Sequence, residues 1–198
     1  MVDDDDAVRN ALKMLIQTAG LTVETFASAD AFLEEYDPAR PGCLILDVRM
    51  PGMSGLNLQD RLLAQRVRIP VIMMTGHGNV AMAVGAVKKG AIDFLQKPFD
   101  DEVLLQRVRH AIDLDAEQRQ VQARNAAFQT RLDRLTPREQ EVLDLLLVGK
   151  GNKEIALQLG LSRKTVDIHR AHVMMKLGVD SLLDIARMGY KPQNSGHL

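Results

Sequence analysis

Cysteine is almost missing from this chain of 198 residues: Cys43 is the only one. An intrachain disulfide is therefore excluded, which suits a reducing compartment. Long apolar runs are missing as well, and none approaches the roughly 20 residues that a membrane-spanning helix needs. The opening MVDDDD has neither a basic stretch nor an apolar one, so no secretory signal is expected. These absences point to a cytoplasmic protein with no membrane partner. A strong charge bias is absent too, the formal net charge being −1. Bulk charge thus gives no sign of a nucleic-acid partner, and such a role must be sought locally. No internal repeat or low-complexity segment is present.

What is there is ordinary globular material: 46% hydrophobic and 26% charged residues, enough for a core. The length suits one large domain or two small ones. Residues 1–135 hold 16 basic against 19 acidic residues, and residues 136–198 hold 9 against 7. The sign of the charge balance changes between the two parts.

Residues 1–112 alternate helix and strand signals. Asp5 and Asp6 cap an apolar-periodic run from Ala7 to Ala19 that stops at Gly20. Leu21–Phe26 alternates like a strand. Ser28 caps a short helix to Tyr36, and Gly42–Leu46 is a continuous apolar run ending at Asp47. Ser54 caps a helix carrying Leu58 and Leu62. Val71–Met74 reads as a second buried strand, ending at Thr75. Asn79 caps a helix that closes at Gly90, and Ala91–Leu95 is the last strand, before Lys97-Pro98. Asp100 opens a helix with Val103, Leu104, Val108 and Ile112 on one face. Buried runs of this kind, separated by helices, predict a doubly wound parallel sheet, here with a very short first strand before Asp3.

Residues 113–134 are polar and lack Gly and Pro, so they read as a helical linker continuing the last helix. From residue 135 the pattern is all helical. Thr136-Pro137-Arg138-Glu139 is a capping box with Pro at the first helical position. Asn152 opens the next helix, Gly160 ends it, Ser162 caps a third and Ser181 a fourth. Helix, short Gly turn, helix is the helix-turn-helix pattern.

The polar residues at the strand ends carry the chemistry. Asp3 and Asp4, Asp47, Thr75 and Lys97 each fall at or just past a strand's carboxyl end, and such ends converge on one crevice. Clustered carboxylates repel one another unless a cation joins them, and an oxygen-only set suits Mg²⁺. A carboxylate there can act as a nucleophile toward phosphorus, and Asp47 is best placed for it. Lys97 would clamp the phosphoryl oxygens and Thr75 would donate to one. Each residue has an ordinary alternative: solvated terminus, turn, surface charge, cap. Their joint occurrence at strand ends does not.

The stretches VDDDDAVR, LILDVRMPGMSG, VIMMTGHG and GAIDFLQKPF resemble the receiver domain of two-component response regulators, in its FixJ-like branch. The resemblance implies a five-stranded flavodoxin-like receiver over residues 1–112. It implies Mg²⁺ held by Asp4, Asp47 and the Arg49 carbonyl, with Asp3 acting through water. It implies Phe94 as the aromatic switch, a cis Lys97-Pro98 bond, and a sensor histidine kinase as phosphoryl donor. Arg49 and His77 stand two past Asp47 and two past Thr75, positions that vary in this family, and the lifetime of the aspartyl phosphate is left open. One departure is plain: the family has about five apolar residues before the acidic pair, and here only Met1 and Val2 precede Asp3. The start is assigned late, or the strand is a stub.

In the third C-terminal helix, Val166, Val173 and Leu177 share one stripe with His169 beside it, while Ile168 and Ala171 lie off it. Arg163, Lys164, Arg170 and Lys176 against Asp167 give residues 162–176 a local balance of +3. Apolar side chains can meet thymine methyls, Asp can accept from cytosine N4, and basic groups can hold phosphates. Residues 135–179 resemble the LuxR-type helix-turn-helix. That places Asp167, Ile168 and Ala171 toward bases, and Lys153, Arg163, Thr165, Arg170 and Lys176 toward phosphates, in a DNA-binding domain spanning 135–198. His169 and His172 read as a structural histidine and a phosphate contact rather than a metal pair. Met73, Met74, Met174 and Met175 read as packing.

The sequence therefore predicts a transcription factor that dimerises on phosphorylation and binds double-stranded DNA. It would accept phosphate stoichiometrically rather than turn over a substrate. Two rivals stand: an aspartate-nucleophile phosphatase, and an interaction module that does not bind DNA. The first pairs its nucleophile with an Asp two residues on, where Arg49 stands here.

Overall fold

The computed structural model describes residues 1–76, 80–190 and 192, and the chain divides into two compact units between Arg119 and Gln120. In the first unit, strands β1 (Leu44–Asp47), β2 (Val71–Thr75) and β3 (Asp93–Gln96) form a parallel sheet in that order. Every residue of β1 and β2 is buried, as strands covered on both faces must be. Successive side chains serve opposite faces. Leu44, Leu46, Val71 and Met73 pack with α2 (Ala29–Glu35), α3 (Gly55–Ala64) and α4 (Val80–Lys88) through Phe32, Leu58, Leu62 and Ala86. Ile45, Ile72 and Met74 pack with Leu12 and Ile16 of α1 (Asp6–Thr18), and with Leu104, Val108 and Ala111 of α5 (Asp101–Leu132). The unit is doubly wound, as the sequence predicts.

Two strands of the expected five are reduced to single bridges. Val2 pairs in parallel with both Phe26 and Leu46. Leu21–Phe26 is not a regular strand, because Met1–Asp3 gives it backbone partners only at its end. What pairing exists lies where it matters. Val2 N donates to Ile45 O and Asp47 N to Val2 O, both at 2.9 Å, while Phe26 N donates to Met1 O and Asp3 N to Phe26 O. The backbone beside Asp47 is thereby satisfied.

Asp5, Ser28 and Ser54 cap their helices through side-chain oxygens. Asn79 and His77 lie outside the described residues. Val103 departs from its expected buried face and is exposed, since Leu104, Val108 and Ala111 make up the contact stripe.

Helix α5 runs without a break for 32 residues, so residues 113–132 do continue it. Asp115 is buried, accepts from Gly42 N at 2.9 Å and from Arg119 Nε at 2.6 Å, and Arg119 donates to the carbonyls of Pro38, Ala39 and Arg40. Farther along, Phe128 and Leu132 join the core of the second unit.

That second unit holds α6 (Pro137–Leu147), α7 (Asn152–Leu159), α8 (Arg163–Leu177) and α9 (Leu182–Arg187). The Thr136/Glu139 capping box forms, and Ser162 and Ser181 cap α8 and α9. Gly160 ends α7 at φ +65°, a left-handed conformation that glycine adopts without strain, and the chain turns there into α8.

Candidate functional site

Three of the five strand-end residues meet directly. Lys97 Nζ donates to Asp3 Oδ2 and to Asp47 Oδ1, each at 2.7 Å. Arg49 N donates to Asp47 Oδ2 at 2.6 Å, so both carboxylate oxygens of Asp47 are held. Asp3 Oδ1 accepts from Asp5 N, and Arg9 donates to the Asp3 carbonyl at 2.6 Å. Asp3 and Asp47 are buried, and the side chain of Lys97 is 23% exposed. Burial alone would lower the pKa of Lys97, but its hydrogen bonds to Asp3 and Asp47 outweigh it and hold the ammonium above the ordinary lysine value.

Thr75 is fully buried at the end of β2, and its carbonyl accepts from Lys97 N at 2.8 Å. Phe94 lies in β3, half-buried against the core on the α3 and α4 side. The Lys97-Pro98 bond is cis. Asp4 is not drawn in: it is exposed, and among the described residues no group of three or more His, Cys, Asp or Glu side chains could share a cation. The Lys97 ammonium bridges the two buried acids instead, leaving one open acidic neighbour. The donor chemistry still fits a hard cation. Asp3, Asp47 and Lys97 sum to one negative charge, Asp4 adds a second, and all the side-chain acceptors are oxygens.

Gly55 was not singled out by the sequence reading, yet it shapes the site. A Cβ there would stand 2.1 Å from the Asp47 carbonyl oxygen and 3.0 Å from its carbon. Only glycine lets the start of α3 press against the backbone of Asp47. Its place eight residues past Asp47, just after the Ser54 cap, was the available signal.

In the second unit, α8 buries Val166, Val173 and Leu177 completely. Arg163, Lys164, Asp167, Ile168, Arg170 and Ala171 are exposed on α8, and Lys153 is exposed on α7. Ile168 is 47% exposed, a bulky apolar side chain offered to solvent among cations. Thr165 is half-buried and shares a 2.8 Å hydrogen bond with Ser162. Asp167 accepts from Asn152 Nδ2. Lys176 is committed elsewhere: its Nζ lies 2.6 Å from Glu139 Oε2 and also donates to the Arg134 carbonyl. Glu139 is buried. Burial would raise its pKa, but Lys176 and Thr136 donate to it and hold it below the ordinary value. His172 Nδ1 lies 3.7 Å from the same carboxylate, and His169 is half-buried. Met73 and Met74 are core residues, whereas Met175 is 70% exposed, not packed as expected.

Fold and sites together define a class: an α/β unit with a buried, ammonium-held aspartate, followed by a helix-turn-helix unit. Comparison with known proteins agrees. Residues 1–109 match the response regulator receiver domain, and residues 133–189 match the bacterial regulatory proteins of the luxR family. The transcriptional regulatory protein FixJ of Azorhizobium caulinodans is 45% identical over 95% of this chain and 89% of its own length. The response regulator protein TodT of Pseudomonas putida is 44% identical over 98% and 86%. Among solved structures, the response regulator StyR superposes with a TM-score of 0.83 at 45% identity, covering 95% of each chain. The chain belongs to the FixJ-type response regulators, transcription regulators that are activated by phosphorylation. The family is one of signalling proteins rather than classical enzymes, which sets aside the phosphatase reading. Its architecture implies a kinase partner and a DNA target. Among the described residues no helix is long and apolar enough to cross a membrane.

Proposed function

We propose that Asp47 is the phosphoacceptor, taking a phosphoryl group from the phosphohistidine of a sensor kinase. The observation that carries this reading is the double hold on Asp47 by Lys97 and the Arg49 amide, at the buried end of β1. A carboxylate so held is fixed in orientation for in-line attack on phosphorus. One carboxylate oxygen forms the new P–O bond while the P–N bond breaks, its electron pair returning to the donor imidazole. Lys97 then balances the phosphoryl charge, and the Thr75 hydroxyl donates to a phosphoryl oxygen.

Receiver domains bind Mg²⁺ at the phosphorylation site. Here Asp3, Asp4, Asp47 and the Arg49 carbonyl would hold it, Asp4 turning inward from its exposed position. Bound there, the ion supplies neutralisation of the incoming phosphoryl oxygens. Residues 1–119 form the receiver, and the DNA-binding domain begins within α5 before residue 133.

Modification draws Thr75 toward the phosphoryl group and lets Phe94 move inward, shifting a pre-existing equilibrium. The face of α4, β3 and α5 then pairs two copies, setting two α8 helices on half-sites about one helical turn apart. Ile168 and Ala171 read bases, with Arg163, Lys164, Arg170 and Lys153 on phosphates. Thr165 and Asp167 join them by exchanging their internal hydrogen bonds. Lys176 is the weakest of the assigned DNA contacts, its ammonium being tied to Glu139.

The test compares wild type with Asp47→Asn, each with beryllofluoride and Mg²⁺. Dimer formation and retention of promoter DNA increase only in the wild type. An equal response from Asp47→Asn removes the assignment.

A further inference from the structure

Gln59 lies inside α3, next to the core residue Leu58, and is only 2% exposed. A buried amide needs partners. Its Nε2 donates to the carbonyls of Ala86 at 3.1 Å and Lys89 at 3.3 Å. Ala86 lies in the last turn of α4 and Lys89 just past its end, and the Ala86 carbonyl also accepts from the amides of Lys89 at 3.1 Å and Ala91 at 3.0 Å. The Asp60–Lys89 ion pair, at 2.7 Å, ties the same two segments at the surface.

The described part of helix α4 is shallowly packed. Of its described side chains only Ala86 is fully buried, while Val84 and Val87 are 45% and 52% exposed. Yet α4 connects Thr75, at the end of β2, to Phe94 in β3. The amide of Gln59 is also incompletely met: Oε1 is buried without a hydrogen-bond partner. An unmet buried acceptor raises the free energy of this arrangement, so its margin over other placements of α4 is narrowed.

We propose that Gln59 is a positioning residue for the phosphorylation response. It pins the carboxyl end of α4 as a pivot, so that changes at Thr75 displace the helix from its other end. The inference rests on the reading of Asp47 as phosphoacceptor. Without the pivot, α4 samples its alternative placements unprompted, and the contrast between the resting and modified protein shrinks.

The test uses the full chain as wild type, Gln59→Met, and Leu62→Ala as a core control. Label uptake at Asp47 from acetyl phosphate is measured first, then the dimerisation constant with and without beryllofluoride and Mg²⁺. Gln59→Met takes label like wild type, but its on/off ratio falls about tenfold, the size of one to two neutral hydrogen bonds. Leu62→Ala lowers the Tm and keeps the ratio. An unchanged ratio in Gln59→Met, or an equal fall in Leu62→Ala, overturns the pivot. A wild type that takes no label at Asp47 defeats the phosphoacceptor reading itself, and this inference with it. Amide exchange in the wild type gives an independent check, whether or not Gln59→Met folds. Amides of Lys89–Ala91 stay protected when beryllofluoride is added if the pivot holds, and lose protection if it does not.

Discussion

One charged side chain in each unit, Lys97 in the first and Glu139 in the second, gives stability a distinct pH dependence. The Lys97 pKa is raised in the folded protein. Its contribution is therefore complete below the ordinary lysine value of 10.5 and is lost as pH rises through the higher folded value. Replacing Lys97 with Met removes this alkaline loss and leaves Asp3 and Asp47 without their cation. Urea unfolding at pH 7 should show a cost of about 1–3 kcal/mol, below that of a fully buried pair because the ammonium is partly exposed. Glu139 behaves in the opposite sense. Its pKa is lowered, so its contribution is present above the ordinary value of 4.5 and fades as pH falls through the folded value. Glu139→Gln should flatten the acid limb of the stability curve of the second unit, measured by circular dichroism, while leaving the alkaline limb as in wild type. Gly55→Ala acts through shape. Its new Cβ meets the Asp47 carbonyl, so backbone must move, costing about 1–3 kcal/mol in unfolding and slowing phosphoryl uptake. Wild-type rates in a folded Gly55→Ala protein would contradict the close approach.

Elements differ in how plainly they could be read. The β1 and β2 runs were legible because strands covered on both faces admit little but apolar residues, and Ser28, Ser54, Thr136, Ser162 and Ser181 mark their helices by a local rule. Leu21–Phe26 alternates correctly yet makes one bridge, because pairing depends on a neighbour that alternation does not reveal. The meeting of Asp3, Asp47 and Lys97 followed from strand-end geometry, but the outward position of Asp4 did not. The polarity of residues 113–134 and their lack of Gly and Pro gave the helix that continues, but not what its side chains hold. Asp115 and Arg119 look like solvated charges, but they bind backbone groups of residues 38–42, a contact some eighty residues away in sequence for Arg119. Polar residues that clasp loops have no periodic signature. Asp115→Ala leaves the Gly42 amide without its acceptor and should cost about 1–3 kcal/mol, with amide exchange quickened in the adjoining turn of α5. Unaltered exchange there would show that the clasp holds nothing.

For the whole molecule, the receiver must report its state to DNA, and the DNA contribution is separable by salt. Arg163→Ala, if it removes one phosphate contact, weakens binding to all sequences alike and reduces the salt slope by about one unit. Ile168→Ala instead relaxes base preference and leaves that slope unchanged. Titrations of promoter and scrambled DNA at several salt concentrations distinguish the two. Signalling through both units depends on Asp47 carrying the phosphate. The direct measurement is to phosphorylate the full chain with acetyl phosphate and Mg²⁺, reduce the acyl phosphate with borohydride, and locate the modified residue by mass spectrometry. The account predicts modification at Asp47 and none anywhere in Asp47→Asn. Modification at another residue, or label retained by Asp47→Asn, would contradict it.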